Sequence, residues 1–170
     1  MHLPVMALLL FGCPRGFVGV EEGFGDRPSY VTATGEIGMF ASGFGAGATL
    51  QTRLGATGVE ASLGGFVCGG TQTRVTFEGC ARVYALELGW RRDHMSFGLV
   101  APAIGPSLTI PLRDGAPISP SRQAVTGTAL TIGLWAGLDT RVAPRSDFGP
   151  YISLQVGVGN MVHPPKPRTH

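Results

Sequence analysis

The sequence predicts an all-β fold, a single antiparallel up-and-down β-barrel of about eight strands that crosses a membrane. Three observations predict it. Apolar and polar residues alternate with period two along most of the chain, the period of a strand with two unlike faces. The alternating runs are about 12 to 19 residues long, against about five or six for a typical soluble strand and about nine to eleven for a tilted membrane-spanning one. Charged residues make up only 14% of the 170 residues and glycine numbers 27, whereas an average soluble domain carries roughly 25% charge. A chain without a charged skin faces something other than water.

Seven runs are assigned as strands: 29–41, 43–54, 57–68, 74–91, 95–112, 124–142 and 149–162. In the first, Val31, Ala33, Ile37 and Met39 alternate with Thr32, Thr34, Glu36 and Gly38. The second sets Phe44, Ala46, Ala48, Leu50 and Leu54 against Gly43, Gly45, Gly47, Gln51 and Arg53. The third sets Val59, Ala61, Leu63 and Val67 against Glu60, Ser62, Gly64 and Phe66. In the fourth, Tyr84, Leu86, Leu88 and Trp90 form the apolar face, opposite Ala81, Val83, Ala85, Glu87 and Arg91. The fifth changes parity between Phe97 and Leu108, around Pro102 to Pro106. Either a β-bulge or a bend between two shorter strands accounts for that. The sixth places Leu130, Ile132, Leu134, Ala136 and Leu138 opposite Ala129, Thr131, Gly133, Trp135, Asp139 and Arg141. The last alternates Ile152, Leu154, Val156 and Val158 with Ser153, Gln155, Gly157 and Gly159. An eighth strand is drawn from Gly16–Gly25, where the pattern is poor.

The domain organisation follows. Residues 1–28 are a candidate export signal and N-terminal segment, 29–162 the β-barrel domain, and 163–170 a Pro-rich polar tail. Leu3–Gly12 has the apolar character of a signal h-region. Leu10-Phe11-Gly12-Cys13 reads like a lipobox, which makes Cys13 a candidate for lipidation. Turns fall at Gly55-Ala56 and Arg92-Asp93, and longer polar connections at Gly69–Thr73 and Arg113–Gln123. Cys68 ends one strand and Cys80 lies early in the next. A hairpin between them brings the thiols within reach of a disulfide, which needs an oxidising compartment.

In a membrane barrel the apolar parity faces lipid and the polar parity faces the lumen. That places Glu36, Arg53, Glu60, Glu87, Arg91, Asp139 and Arg141 inside, with Gln51 and Gln155. Both signs of charge are present, so an internal salt-bridge network is expected to fill the lumen. A small polar passage through the same residues is the sharper reading. Alternation alone does not say which parity points inward. Tyr30, Phe44, Trp90, Phe97 and Tyr151 lie near strand ends, where an interfacial aromatic girdle would sit.

No catalytic or metal motif emerges. Glu21 and Glu22 read as rim charges. His94 and Ser96 stand beside Asp93 but lack the geometry of a triad. The four histidines form no spaced ligand set. The glycines at 43–47 lack the Lys-Ser/Thr of a phosphate loop. No cofactor and no enzymatic activity are expected. The net charge is +2 with a single lysine, Lys166, which argues against a nucleic-acid partner.

Gly43–Val67, Cys80–Trp90, Ala124–Arg141 and Tyr151–Gly159 together resemble the small eight-stranded outer-membrane β-barrel proteins of Gram-negative bacteria. The resemblance covers about residues 29–160. It implies an integral outer-membrane location, membrane lipid as partner, and a structural, adhesive or permeability role. A protein partner is left open. The alternative is a soluble exported barrel or sandwich, periplasmic or secreted, that binds a small apolar ligand or partner. There the apolar parity would point inward. A second alternative is a lipid-modifying barrel enzyme.

Overall fold

The structure is a computed structural model that describes residues 13–24, 29–38, 44–55, 58–70, 74–91, 94–98, 102–117, 125–143 and 147–163. Among the described residues the protein is all strand apart from short bends. The elements are β1 (Cys13–Gly23), β2 (Tyr30–Gly38), β3 (Phe44–Gly55), β4 (Gly58–Gly70), β5 (Thr76–Arg91), β6 (His94–Gly98), β7 (Pro102–Pro117), β8 (Val125–Ala143) and β9 (Asp147–His163). The candidate h-region Leu3–Gly12 and residues 164–170 of the tail lie outside the described residues.

All pairings are antiparallel, and they return on themselves. β1 to β5 pair in succession, β5 pairs β6 and β7, both of these pair β8, and β9 joins β8 to β1. The hydrogen bonding is therefore ring-like. β6 and β7 occupy one place in it, because they continue a single register against β5: Arg91↔His94 and Glu87↔Gly98, then Val83↔Pro102 and Thr76↔Thr109. The nine strands thus fill eight positions. Pairing followed once round runs Cys13, Gly38, Gly47, Phe66, Arg82, Ala103, Gly137, Tyr151, Gly23. It comes back to β1 ten residues from where it started, from Cys13 to Gly23.

β1 comes from the N-terminal segment and closes the ring. Its pattern is poor because the inward positions are mixed: Arg15, Phe17 and Glu21 are buried, while Gly16, Val18, Val20 and Glu22 are exposed. The reading of Glu21 as a rim charge is corrected here, since it is one of the most deeply buried side chains, and Glu22 alone is exposed. Cys13 is the first residue of β1 and pairs with Gly38; its side chain lies outside the described residues.

Elsewhere the two parities separate cleanly. On β2, Thr32, Thr34 and Glu36 are buried, and Val31, Ala33 and Ile37 are exposed. On β9, Ser153, Gln155 and Gly157 are buried, and Ile152, Leu154, Val156 and Val158 are exposed. The polar parity therefore faces the interior of the ring and the apolar parity faces out. β5 is the exception. Leu63 pairs with Leu86 but Gly64 with Tyr84, so Ala85 is an extra residue, a bulge. It reverses the parity upstream. Ala81 and Val83 are exposed and Arg82 is buried, which corrects the assignment of Ala81 and Val83 to the inner face. The neighbouring strand changes parity too: Gly98 on β6 and Ala103 on β7 are both buried. The parity therefore changes between Gly98, the last residue of β6, and Pro102, the first of β7.

The connections differ between the two ends of the ring. Residues 39–43, 71–75 and 118–124 link strands at one end; 24–29, 56–57, 92–93 and 144–146 link them at the other. The polar segments read as loops from Gly69 and from Arg113 begin later, because Gly69 and Gly70 belong to β4 and Arg113–Pro117 to β7. Cys13 and His163 sit at the end that carries 39–43, 71–75 and 118–124, tying the described chain ends to it. Arg74 and Asp114 brace that end with a bidentate pair at 2.8 and 3.3 Å. An epitope tag inserted at 118–124 and one after His163 are therefore expected to become protease-accessible together in intact cells. Accessibility of one without the other would contradict this arrangement.

Candidate functional site

The interior of the ring is charged and packed. Arg15 comes from β1, Glu36 from β2, Arg82 from β5 and Gln155 from β9. Each is brought inward by strand parity, and all four are buried. Arg15 Nη2 donates to Glu36 Oε2 at 3.1 Å. Arg82 Nη2 forms an ion pair with the other carboxylate oxygen of Glu36. Arg82 Nη1 donates to Gln155 Oε1 at 2.9 Å. One carboxylate thus stands between two guanidinium groups. β5 lies opposite β1 in the ring, four positions away in either direction. The Arg82–Glu36 and Arg82–Gln155 contacts therefore cross the interior rather than run along the wall.

Aromatic rings complete the cluster. The guanidinium carbon of Arg82 lies 3.5 Å from the centroid of the Trp135 ring and 5.9 Å from that of Phe17. Arg15 lies 5.4 Å from Phe17. All three are cation–π distances, and such contacts gain strength when water is excluded. Trp135 also belongs to an apolar layer with Phe66, Cys68, Cys80, Ala129 and Met161. The ion cluster and this layer are continuous through its indole. Tyr30 and Tyr151 point inward and are 3% exposed each, so they do not form an outer girdle. The side chains of Phe44, Trp90 and Phe97 lie outside the described residues.

Glycines make room for these groups. Phe17 pairs across the ladder with Gly157, Gln155 with Gly19, and Tyr151 with Gly137. A Cβ at Gly137 would come within 2.7 Å of the Tyr151 ring, and one at Gly157 would strike the Phe17 ring. Each bulky inward side chain lies across the backbone of a glycine directly opposite, the arrangement in which a strand glycine admits a neighbour.

Of the residues assigned to the interior network from the sequence, Glu36 is at the centre of the cluster. The side chains of Arg53, Glu60, Glu87, Arg91, Asp139 and Arg141 lie outside the described residues; the backbone register sets Arg53 opposite Glu60 and Arg141 opposite Asp147. Arg15 and Arg82 were missed. Arg15 falls within the segment set aside as N-terminal, and Arg82 shares the apparent apolar parity of Tyr84 until the bulge at Ala85 reverses it. The hydroxyls of Thr109 and Thr131 lie 3.1 Å apart. Those of Thr32, Thr34, Thr49, Ser107 and Ser153 have no protein hydrogen-bond partner, a lining that suits ordered water. His94 and Ser96 are in β6, and their side chains and Asp93 lie outside the described residues.

Cys68 and Cys80 are cross-strand partners of β4 and β5 and are joined by a disulfide, both of them buried. The pairing expected from the sequence is the one formed. The Glu78 carboxylate stands beside them: one ligand atom from each of Cys68, Glu78 and Cys80 falls within a group 4.8 Å across.

No protein-family model, no curated protein and no solved structure matches the chain.

Proposed function

We propose that the chain is a closed eight-stranded β-barrel embedded in an outer membrane, non-enzymatic, with a structural or adhesive role. The observation that carries this reading is the inversion of the two parities: large apolar side chains face out and the charges face in. Val18, Leu63, Ile104, Leu154 and Val158 are each more than half exposed, while Arg15, Glu36, Glu78 and Arg82 are buried. In water that arrangement is unfavourable on both faces. Against lipid it is the normal one. No helix among the described residues is long and apolar enough to cross a membrane, which says nothing of strands.

The geometry agrees with this reading. With eight positions and a stagger of ten residues, ordinary strand spacing and rise imply a tilt of about 40°, within the range of closed barrels. The outward run Val59–Val67 on β4 is then roughly 20 Å tall, and its side chains widen it toward the band of about 25 Å that spans hydrocarbon. Described charged side chains outside the interior lie near the ends, as Glu22 does at one and Arg74, Arg113 and Asp114 at the other. The disulfide fits a compartment outside the reducing cytoplasm. The outward apolar face counts against the soluble alternative, which needs those residues as its core. The cross-ring cluster favours a plugged interior over a passage, leaving the connections between strands as the working surface, with 118–124 the longest of them.

Cell fractionation of the expressed chain with gel mobility before and after boiling tests this. Outer-membrane enrichment and faster migration of the unboiled protein are expected. A soluble product with no mobility shift would overturn the reading. A substitution gives a quantitative check. Leu154 is outward and lies between Ile152 and Val156. Leu154→Arg is expected to cost roughly 2–4 kcal/mol when the protein is unfolded from lipid vesicles with urea, as charge on a lipid face does near the midplane. On a water-facing surface the same change would be near neutral.

A further inference from the structure

We propose that Cys68, Glu78 and Cys80 form a redox-controlled site for a thiophilic divalent cation of the Zn2+ class, closed by the disulfide and opened when that bond is reduced. The donor set is already convergent. Cys68 and Cys80 are directly paired, with Cα atoms 4.1 Å apart. Glu78 is two residues before Cys80 on the same inward face of β5, and the three donor atoms lie within 4.8 Å of one another.

Two further observations single out the Glu78 carboxylate. Glu78 is 2% exposed, and its Oε2 has no hydrogen-bond partner. Its side chain also leans over Gly70, on the strand that carries Cys68: a Cβ at Gly70 would come within 2.7 Å of Glu78 Cγ. The Arg15 guanidinium acts on this carboxylate by charge, but Oε2 receives no hydrogen bond, and a buried carboxylate oxygen without a donor is costly. Two thiolates and one carboxylate match the sulfur and oxygen ligands that Zn2+ accepts at about 2.3 and 2.0–2.2 Å, with a fourth position left for water.

The chemistry balances with a dithiol reductant. Its two thiols give up two electrons and two protons and become a disulfide; the Cys68–Cys80 bond breaks and each sulfur takes one electron and one proton. Metal binding then releases the two thiol protons, because the thiolate is the ligand. The oxidised protein holds its sulfurs in the covalent bond and offers only Glu78. Metal and oxidant therefore compete for the same pair of cysteines.

The test uses the full chain, folded in detergent micelles, on a Cys13→Ser background so that Cys68 and Cys80 are the only thiols. The protein is reduced with a trialkylphosphine, which leaves as its oxide after taking oxygen from water. It is then titrated with Cd2+, followed by the thiolate-to-metal charge-transfer absorption, and with Zn2+ in competition. One Cd2+ per chain is expected for the reduced protein and no band for the oxidised one. Glu78→Gln should weaken binding at least tenfold. Absence of the band in folded reduced protein overturns the proposal. So does unchanged affinity in Glu78→Gln, or equal affinity in the urea-unfolded chain, either of which means ordinary dithiol chelation. If the reduced chain loses its fold, refolding yield is read instead. Zn2+ should then raise the yield severalfold for the parent and leave Glu78→Gln unchanged; no metal effect on the parent overturns the proposal.

Discussion

Glu36→Leu is expected to destabilise the folded protein by about 3–5 kcal/mol, the usual cost of removing one partner from a buried ion pair. Glu36 is 1% exposed and neutralises both Arg15 and Arg82. Without it, Arg15 and Arg82 repel each other inside the ring, with the Glu78 carboxylate acting by charge on Arg15. The aromatic faces of Phe17 and Trp135 remain, but a desolvated cation–π contact supplies only about 2 kcal/mol. Arg82→Met is expected to cost less, because Arg15 still pairs with Glu36 at 3.1 Å. The measurement is urea unfolding of protein folded into lipid vesicles, with both variants compared with the parent. If Arg82→Met costs as much as Glu36→Leu, the cluster is not centred on the carboxylate. If Glu36→Leu costs nothing, the cluster does not hold the ring together at all.

Gly157→Val is expected to cost about 3 kcal/mol or more, at the upper end of overpacking effects. Gly157 lies opposite Phe17, whose ring lies across it, and an added Cβ would also stand 2.5 Å from the carbonyl oxygen of Gly16. The ring can turn away, but the carbonyl belongs to the neighbouring strand's backbone and cannot. Phe17→Ala in the same chain should therefore recover part of the loss and not all of it. Gly16→Ala is the control. Gly16 is on the outward face of β1, with nothing within 4 Å of its Cβ direction, so its replacement should stay within about 0.5 kcal/mol. Equal effects at the two glycines would mean that the loss comes from the chain's flexibility rather than from the packing of Phe17.

These expectations depend on contacts that the sequence shows unequally. The strands were legible because alternation is a local property of extended chain: successive side chains point to opposite faces whatever the rest of the molecule does. Val31–Gly38 and Ile152–Gly159 needed no tertiary information to be read. The disulfide was legible for the same reason, since Cys68 and Cys80 stand near the adjoining ends of neighbouring strands. β5 was misread at its start because one extra residue, Ala85, reverses every side chain upstream of it. Composition carries no sign of such an insertion. That reversal hid Arg82, the residue that reaches Glu36 and Gln155 across the ring.

What the amino-acid sequence determined by itself is a set of long two-faced strands with short turns between several of them and one cross-strand cysteine pair. What only the tertiary structure decided is which face points inward, that β1 joins β9 to complete the ring, and that Arg82 reaches Glu36 and Gln155 across it. The physical reason is range. Period, turn and hairpin are set by residues a few positions apart, whereas closure and the meeting of residues 36, 82 and 155 depend on the stagger accumulated over every strand in the ring.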